Sequence, residues 1–372
     1  MSVRLIRMGL GEKGATVNAG LHLTDAEIEA KTVIGPDQFA DWGITSMNSI
    51  CHDYSGNLYF TDVQRHVVCK VTESGIFSII GGSVGTNGDN GTLTSVAASA
   101  SRFNAPKGIC CDKYGTVYVA DTNNHQIRTI KGGRVGLLAG GGTSGGFVDG
   151  NGLTALFSGP RDVAVDKAGR VFVADWGNHS VRKIDNDGKV VNIAGNGSDG
   201  DGLAENSTRH YARRGAAATD TSITDTETSW PSRRNMFNRP SHIAVDTQGI
   251  VYVWDSENHK MKKITRDGQV LLHSGSGTQG ASLGTDETPS YYPYTCQYTD
   301  IMGIDPDESG NLYVADKGTD GSSLTNKSRI LKFDYNGKPS VVADFPIGST
   351  YVNGPWCVCV TPGQKMFAGF TY

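Results

Sequence analysis

Four histidines stand at one fixed offset in this chain of 372 residues. His66, His125, His179 and His259 each follow an aspartate by four positions (Asp62, Asp121, Asp175 and Asp255). Histidine beside carboxylate is the material of metal sites, but a metal needs its imidazole nitrogens converged within about 2.0–2.1 Å of one ion. Equivalent residues of a repeat sit on separate turns, so this spacing predicts bracing of turns through backbone hydrogen bonds. A second set of carboxylates, Asp89, Asp149, Asp199 and Asp201, lies in N-G-D-N-G, D-G-N-G and D-G-D-G segments. A calcium loop requires D-x-[DN]-x-[DN]-G and a later Glu, which none of them supplies. A repeated turn accounts for these segments better, with a weak cation site at Asp199 and Asp201 as the alternative. No H-E-x-x-H or P-loop sequence occurs, so no catalytic residue is assigned, and no cofactor or metal is expected.

The histidines belong to a larger unit. Gly108–Ile130, Asp162–Ile184 and His242–Ile264 share one pattern: apolar run, Asp-x-x-Gly, apolar run, Asp, polar turn, apolar run. Ser49–Val71 is a degenerate copy with Asp53, Gly56, Asp62 and His66 in place. Gly303–Phe333 is another, with Asp307, Gly310 and Asp316, an enlarged second turn and no His. Asp-x-x-Gly reads as a hairpin turn, because Asp bonds its own turn backbone and Gly supplies positive φ. The runs that follow are β-branched and aromatic, as strands prefer. Each unit is therefore four short antiparallel strands, and fixed-period copies mean a repeat architecture.

Pro355–Gly369 matches only the first half of a unit. Ser2–Arg7 resembles Ser180–Asp185, and Ala15–Gly20 resembles Val190–Gly195. The expected fold is thus an all-β, six-bladed β-propeller of four-stranded antiparallel blades, its last blade shared between the N- and C-termini. One domain spans residues 1–372, with blades one to five within 48–345 and blade six from 2–20 plus 355–372. The segment Leu21–Met47 is left without a role, and Leu23–Lys31 within it reads as either a short surface helix or an extended crossing.

The G-x-V-Y-V-A-D core, the Asn-His pairs at 124–125, 178–179 and 258–259, and the connector Gly145–Pro160 resemble the NHL-repeat β-propellers. The resemblance implies the fold and leaves the function open, since propellers host lyases, hydrolases, RNA readers and docking surfaces. Amidating lyases related to this family use channel histidines for zinc. Here the first residues of the innermost strands, at the channel mouth, are Ser49, Gly108, Asp162, His242, Gly303 and Cys357. Asp162, His242 and Cys357 form a conceivable constellation, short of the usual ligand set.

Two connectors stand out. Asn196–Pro240 is some 25 residues longer than Gly141–Pro160 and carries Arg213, Arg214, Trp230, Arg233 and Arg234. The next, Ser276–Ile301, carries Tyr291, Tyr292, Tyr294 and Tyr298. These residue types dominate binding hot spots, and together they form a candidate partner-binding patch. The leading expectation is therefore a non-catalytic interaction module that binds a protein or glycan partner through loops on one face. A bare propeller rich in Gly, Ser, Thr and Asn also resembles phage structural proteins, which suggests a virion component. The alternatives are a metal-dependent lyase or lactone-type hydrolase in the channel, and an RNA-binding propeller.

A net charge of −4 argues against broad attraction to nucleic acid or anionic membrane. No run approaches 18 apolar residues, so no membrane span is expected. MSVRLIRMGL has no long apolar stretch, so synthesis in the cytoplasm without a signal peptide is expected. The seven cysteines sit mostly in strands and read as small buried hydrophobes.

Overall fold

The computed structural model describes residues 3–10, 22–23, 28–34, 40–89, 95–142, 144–201, 236–280, 296–317, 328–334, 337–345, 355–361 and 365–371. The protein is an all-β propeller of antiparallel, four-stranded blades. Five sheets take their four main strands from consecutive chain. The first runs Met47–His52, Leu58–Asp62, Val67–Val71, Phe77–Gly81. The second runs Pro106–Cys111, Val117–Asp121, Gln126–Lys131, Arg134–Ala139. The third runs Pro160–Val165, Val171–Asp175, Ser180–Ile184, Lys189–Ala194. The fourth runs Pro240–Val245, Val251–Asp255, Lys260–Ile264, Val270–Ser274. The fifth runs Ile301–Pro306, Leu312–Asp316, Ser328–Phe333, Pro339–Phe345.

A further sheet joins the two ends of the chain, in the order Pro355–Val360, Lys365–Thr371, Val3–Leu10, Ile28–Ile34. Val3 pairs with Thr371 and Gly9 with Lys365. Its outer strand is Ile28–Ile34, in place of the expected Ala15–Gly20, which lies outside the described residues. Of the two readings of Leu23–Lys31, helix or extended crossing, its described ends take the extended one. Leu23 pairs with Ala343, and Ile28–Ile34 is extended. The helix-favouring Glu29, Ala30 and Lys31 yield to the open edge of Val3–Leu10, which offers a full ladder of backbone partners. Connector residues cover other outer edges: Val96–Ala97 pairs with Arg134–Ala139, and Gly150–Asn151 with Lys189–Ala194.

The hairpin turns match their sequence signature. Asp53, Asp112, Asp166, Asp246 and Asp307 each accept two turn N–H groups on Oδ1, at 2.8–2.9 Å. The core lies between neighbouring sheets. Phe172, Val181 and Ile193 of the third pack with Ile243 and Val253 of the fourth, for example. Each innermost strand lies against the innermost strand of the next sheet, and Pro355–Val360 lies against Met47–His52. Among the described residues, no helix is long and apolar enough to cross a membrane.

Candidate functional site at the channel mouth

The innermost strands all begin with a register slip. It falls between Pro160 and Asp162, Pro240 and His242, Ile301 and Gly303, and Pro355 and Cys357, with counterparts in the first two sheets. Proline at a strand start lacks a ladder donor, and a bulge re-aims the residue it carries. Those re-aimed residues surround a cavity of about 630 Å³. Its wall holds Asn48, Lys107, Arg161, Ser241 and Met302 from the slipped positions. Ser49, Asp162 and His242 follow them, and Glu257, His259, Thr299, Asp300 and Lys317 form the rim. A smaller cavity of about 220 Å³ also touches Ser49, Asp162 and His242, and adds Cys357, Asp305 and several more cysteines.

Ser49, Asp162 and His242 therefore meet at the mouth as the sequence suggests. Cys357 does not line the larger cavity: it is buried and borders only the smaller one. Asp162 is committed to the fold. Its Oδ1 accepts the Val163 N–H at 2.9 Å and its Oδ2 the Ile243 N–H at 3.0 Å, which ties the third sheet to the fourth. Burial pushes its carboxyl up to about 7. A Cβ on Gly108 would lie 2.2 Å from Asp162 Oδ1, so only glycine admits the carboxylate there. Asp305 acts in parallel, accepting the Val360 N–H at 2.6 Å. His242 bonds Ser241 Oγ at 3.0 Å. Burial, then Arg161 and Lys107, push its imidazole down to about 3, so it is neutral at ordinary pH. Among the described residues, no group of three His, Cys, Asp or Glu converges as a metal would require.

The rim carries a stacked arrangement. The Arg161 guanidinium lies 4.0 Å from the Trp176 ring centroid and that of Arg239 lies 4.7 Å from it. Arg239 is exposed, and Arg161 and Trp176 are half-buried. Neither Arg161 nor Lys107 is evident as functional from a single repeat. Their signal is positional: each directly precedes the first residue of its copy, Gly108 or Asp162.

The patch fares differently. Arg213, Arg214, Trp230, Arg233, Arg234, Tyr291, Tyr292 and Tyr294 lie outside the described residues. Tyr298 is corrected: it is fully buried, edge-on to Trp254 at 5.1 Å, and its hydroxyl meets Ser274 Oγ. Its place in the repeat explains this, since it stands 18 residues before Asp316, as Phe103, Phe157 and Phe237 stand 18 before Asp121, Asp175 and Asp255. All four rings are fully buried plugs beneath a connector.

The repeated aspartates and histidines are structural. The backbone N–H of Thr45, Asn104, Ser158, Asn238 and Thr299 reaches Asp62, Asp121, Asp175, Asp255 and Asp316 at 2.6–3.0 Å. Arg128, Arg182, Lys262 and Arg329 pair with the last four of these at 3.5, 3.0, 2.6 and 3.0 Å. In the first sheet Cys69 takes the cation's position and Ile44 the plug's, so the polar pair and the ring are replaced together by apolar groups. The connector carboxylates Asp89, Asp149 and Asp201 face the same cations, Arg128, Arg182 and Lys262. His66, His125 and His179 accept the Ala105, Gly159 and Arg239 N–H on Nδ1 at 3.0, 2.8 and 3.3 Å, bracing each turn against the next sheet.

Comparison with known proteins follows the same lines. The NHL repeat pattern matches residues 103–130, 157–184 and 237–264. The chain is 27% identical over 206 residues to Protein SUPPRESSOR OF QUENCHING 1, chloroplastic, of Arabidopsis thaliana, covering 50% of this chain and 19% of that protein. It is 25% identical over 239 residues to NHL repeat-containing protein 2 of Gallus gallus, covering 61% of this chain and 28% of that one. The chain thus spans well under a third of these curated relatives. A gluconolactonase structure from Xanthomonas campestris superposes with a TM-score of 0.52 at 13% identity, over 98% of this chain and 100% of that one, which shows the fold alone. The chain thus carries three matched NHL repeats on sheets of a β-propeller.

Proposed function

We propose that this protein is a non-catalytic binding module, a single domain over residues 1–372 built as a six-bladed ring whose last blade is shared between the chain's ends. The pairing of Val3–Leu10 with Lys365–Thr371, and the contact of Pro355–Val360 with Met47–His52, support that ring. The module captures a protein or glycan partner at the mouth between the third, fourth and fifth blades. The observation that carries this reading is the Arg161–Trp176–Arg239 stack, of which Arg161 lines the cavity. Arg and Trp anchors beside a desolvated pocket are what binding hot spots are made of. The commitment of both Asp162 oxygens to backbone N–H groups favours binding over turnover, because an occupied carboxylate is a poor base. Assembly into a larger particle such as a virion is a special case, in which the partner is another particle subunit.

The test compares wild type with Trp176→Ala and Arg239→Ala on a glycan array and in cross-linking to candidate partner proteins. Capture should fall at least about tenfold in both variants, the loss expected of a hot spot, while melting of Arg239→Ala stays unchanged. Lactone or lyase turnover that vanishes on chelation would replace this reading with the enzymatic one. Capture of RNA with an affinity that falls steeply with salt would replace it with the nucleic-acid one.

A further inference from the structure

Lys107, Arg161 and Lys317 share the cavity at the mouth with Asp162, Glu257 and Asp300. Lys107 and Arg161 occupy the second positions of adjacent innermost strands, and both line it. Among the described residues, no ion pair joins either one to a carboxylate. Burial and then Arg161 hold the Lys107 ammonium down at about 8, and burial and then Arg239 lower Arg161. Glu257 and Asp300 act on Arg161 only from the rim. Asp162, beside them, is raised to about 7 and has both oxygens occupied, so it offsets little of that charge. Two neighbouring cations with no direct ion pair repel one another and favour an anion from outside.

His259 supplies an independent sign. It is the fourth of the bracing histidines, yet its Nδ1 is buried with no hydrogen-bond partner among the described residues. The N–H that would match those bonded by His66, His125 and His179 belongs to Asp300, and it donates to Asp316 Oδ1 at 3.1 Å instead. His259 lines the same cavity. A buried polar atom left unpaired costs free energy that a ligand can recover.

We propose that this cavity binds a carboxylate-bearing ligand, its carboxylate seated between Lys107 and Arg161 and its body extending to His259. Arg161 lies over the Trp176 ring, and the paired N–H donors of a guanidinium match the two acceptors of a planar carboxylate. The rim acids Glu257 and Asp300 oppose a doubly charged phosphate more than a singly charged carboxylate. This assignment rests on the binding-module reading and names what its pocket takes.

The test uses the full chain, with binding measured by calorimetry at low salt. D-glucuronate and a capped glutamate peptide are the two carboxylate probes, and D-glucose and inorganic phosphate are the controls. At least one carboxylate probe should bind, and Lys107→Gln should weaken it at least about tenfold, the loss of one charge-assisted hydrogen bond. Glucuronate alone would assign an acidic sugar, and the peptide alone an acidic protein segment. Lys107→Gln should also melt at or above the wild-type temperature, since it removes a repulsion. Four results would each overturn the assignment: no binding of either carboxylate, equal binding to Lys107→Gln, tighter binding of phosphate, or a marked drop in the variant's melting temperature. Capture through Trp176 and Arg239 is read separately, so a failed carboxylate with intact capture rejects only the ligand.

Discussion

At the scale of single residues, burial sets the chemistry of the mouth. Asp162 titrates near 7 in the fold, against an ordinary value of 3.8, because burial disfavours its charged form. The native state therefore holds this proton more tightly than the unfolded chain. The group costs stability above about pH 7, and the cost disappears as pH falls towards 4. His242 and His273 act in the opposite sense. Both are lowered to about 3, so stability present above 6.5 is lost as pH falls from there. A difference between wild type and Asp162→Asn largely cancels these histidines. The melting temperature of the variant minus that of wild type should be most favourable to the variant at pH 8. It should fall by roughly 1 °C or more on going to pH 5, as about 1 kcal/mol would produce in a domain of this size. Calorimetry at the two pH values checks this, and a difference that ignores pH would contradict the buried-carboxyl account.

At the scale of one element, the turn in each of the second to fifth blades is held by a buried Asp, a cation and an aromatic plug. In the third blade these are Asp175, Arg182 and Phe157, with the guanidinium 5.3 Å from the ring centroid. A buried pair adds little net stability, but removing one partner strands the other. Arg182→Met should therefore cost about 3 kcal/mol in chemical denaturation. Arg182→Lys should recover most of that, as Lys262 holds the same place beneath Asp255. Burial already raises Asp175 to about 6, so the deficit of Arg182→Met should be smaller at pH 5 than at pH 8. An equal deficit at both would mean that packing against Phe157, rather than charge, explains the loss.

At the scale of the whole molecule, the sheet that joins the chain's ends decides stability. Deleting residues 1–34 removes Val3–Leu10 and Ile28–Ile34 and leaves Lys365–Thr371 without its outer partner. An unpaired edge next to exposed core invites association. The truncated chain should lose its cooperative melt and elute as aggregates in size-exclusion chromatography. A truncated chain that melts like the full one would refute the joined sheet.

The order of residues along the chain determined the repeat and its turns, because these depend on local hydrogen bonds at fixed offsets such as Asp112 to Thr116. The strand order of the joined sheet was half legible. Ser2–Arg7 announces itself by likeness to Ser180–Asp185, whereas Leu23–Lys31 reads equally as helix or extended crossing, and an unpaired edge settles Ile28–Ile34 as a strand. Tyr298 shows the opposite failure: aromatic type suggested a surface, and position in the repeat made it a plug. What only the tertiary structure decided is which side chains from different blades face one another. Lys107, Arg161 and His259 stand far apart in the chain, and their common cavity exists because slipped strand starts turn toward one axis when the blades pack around it.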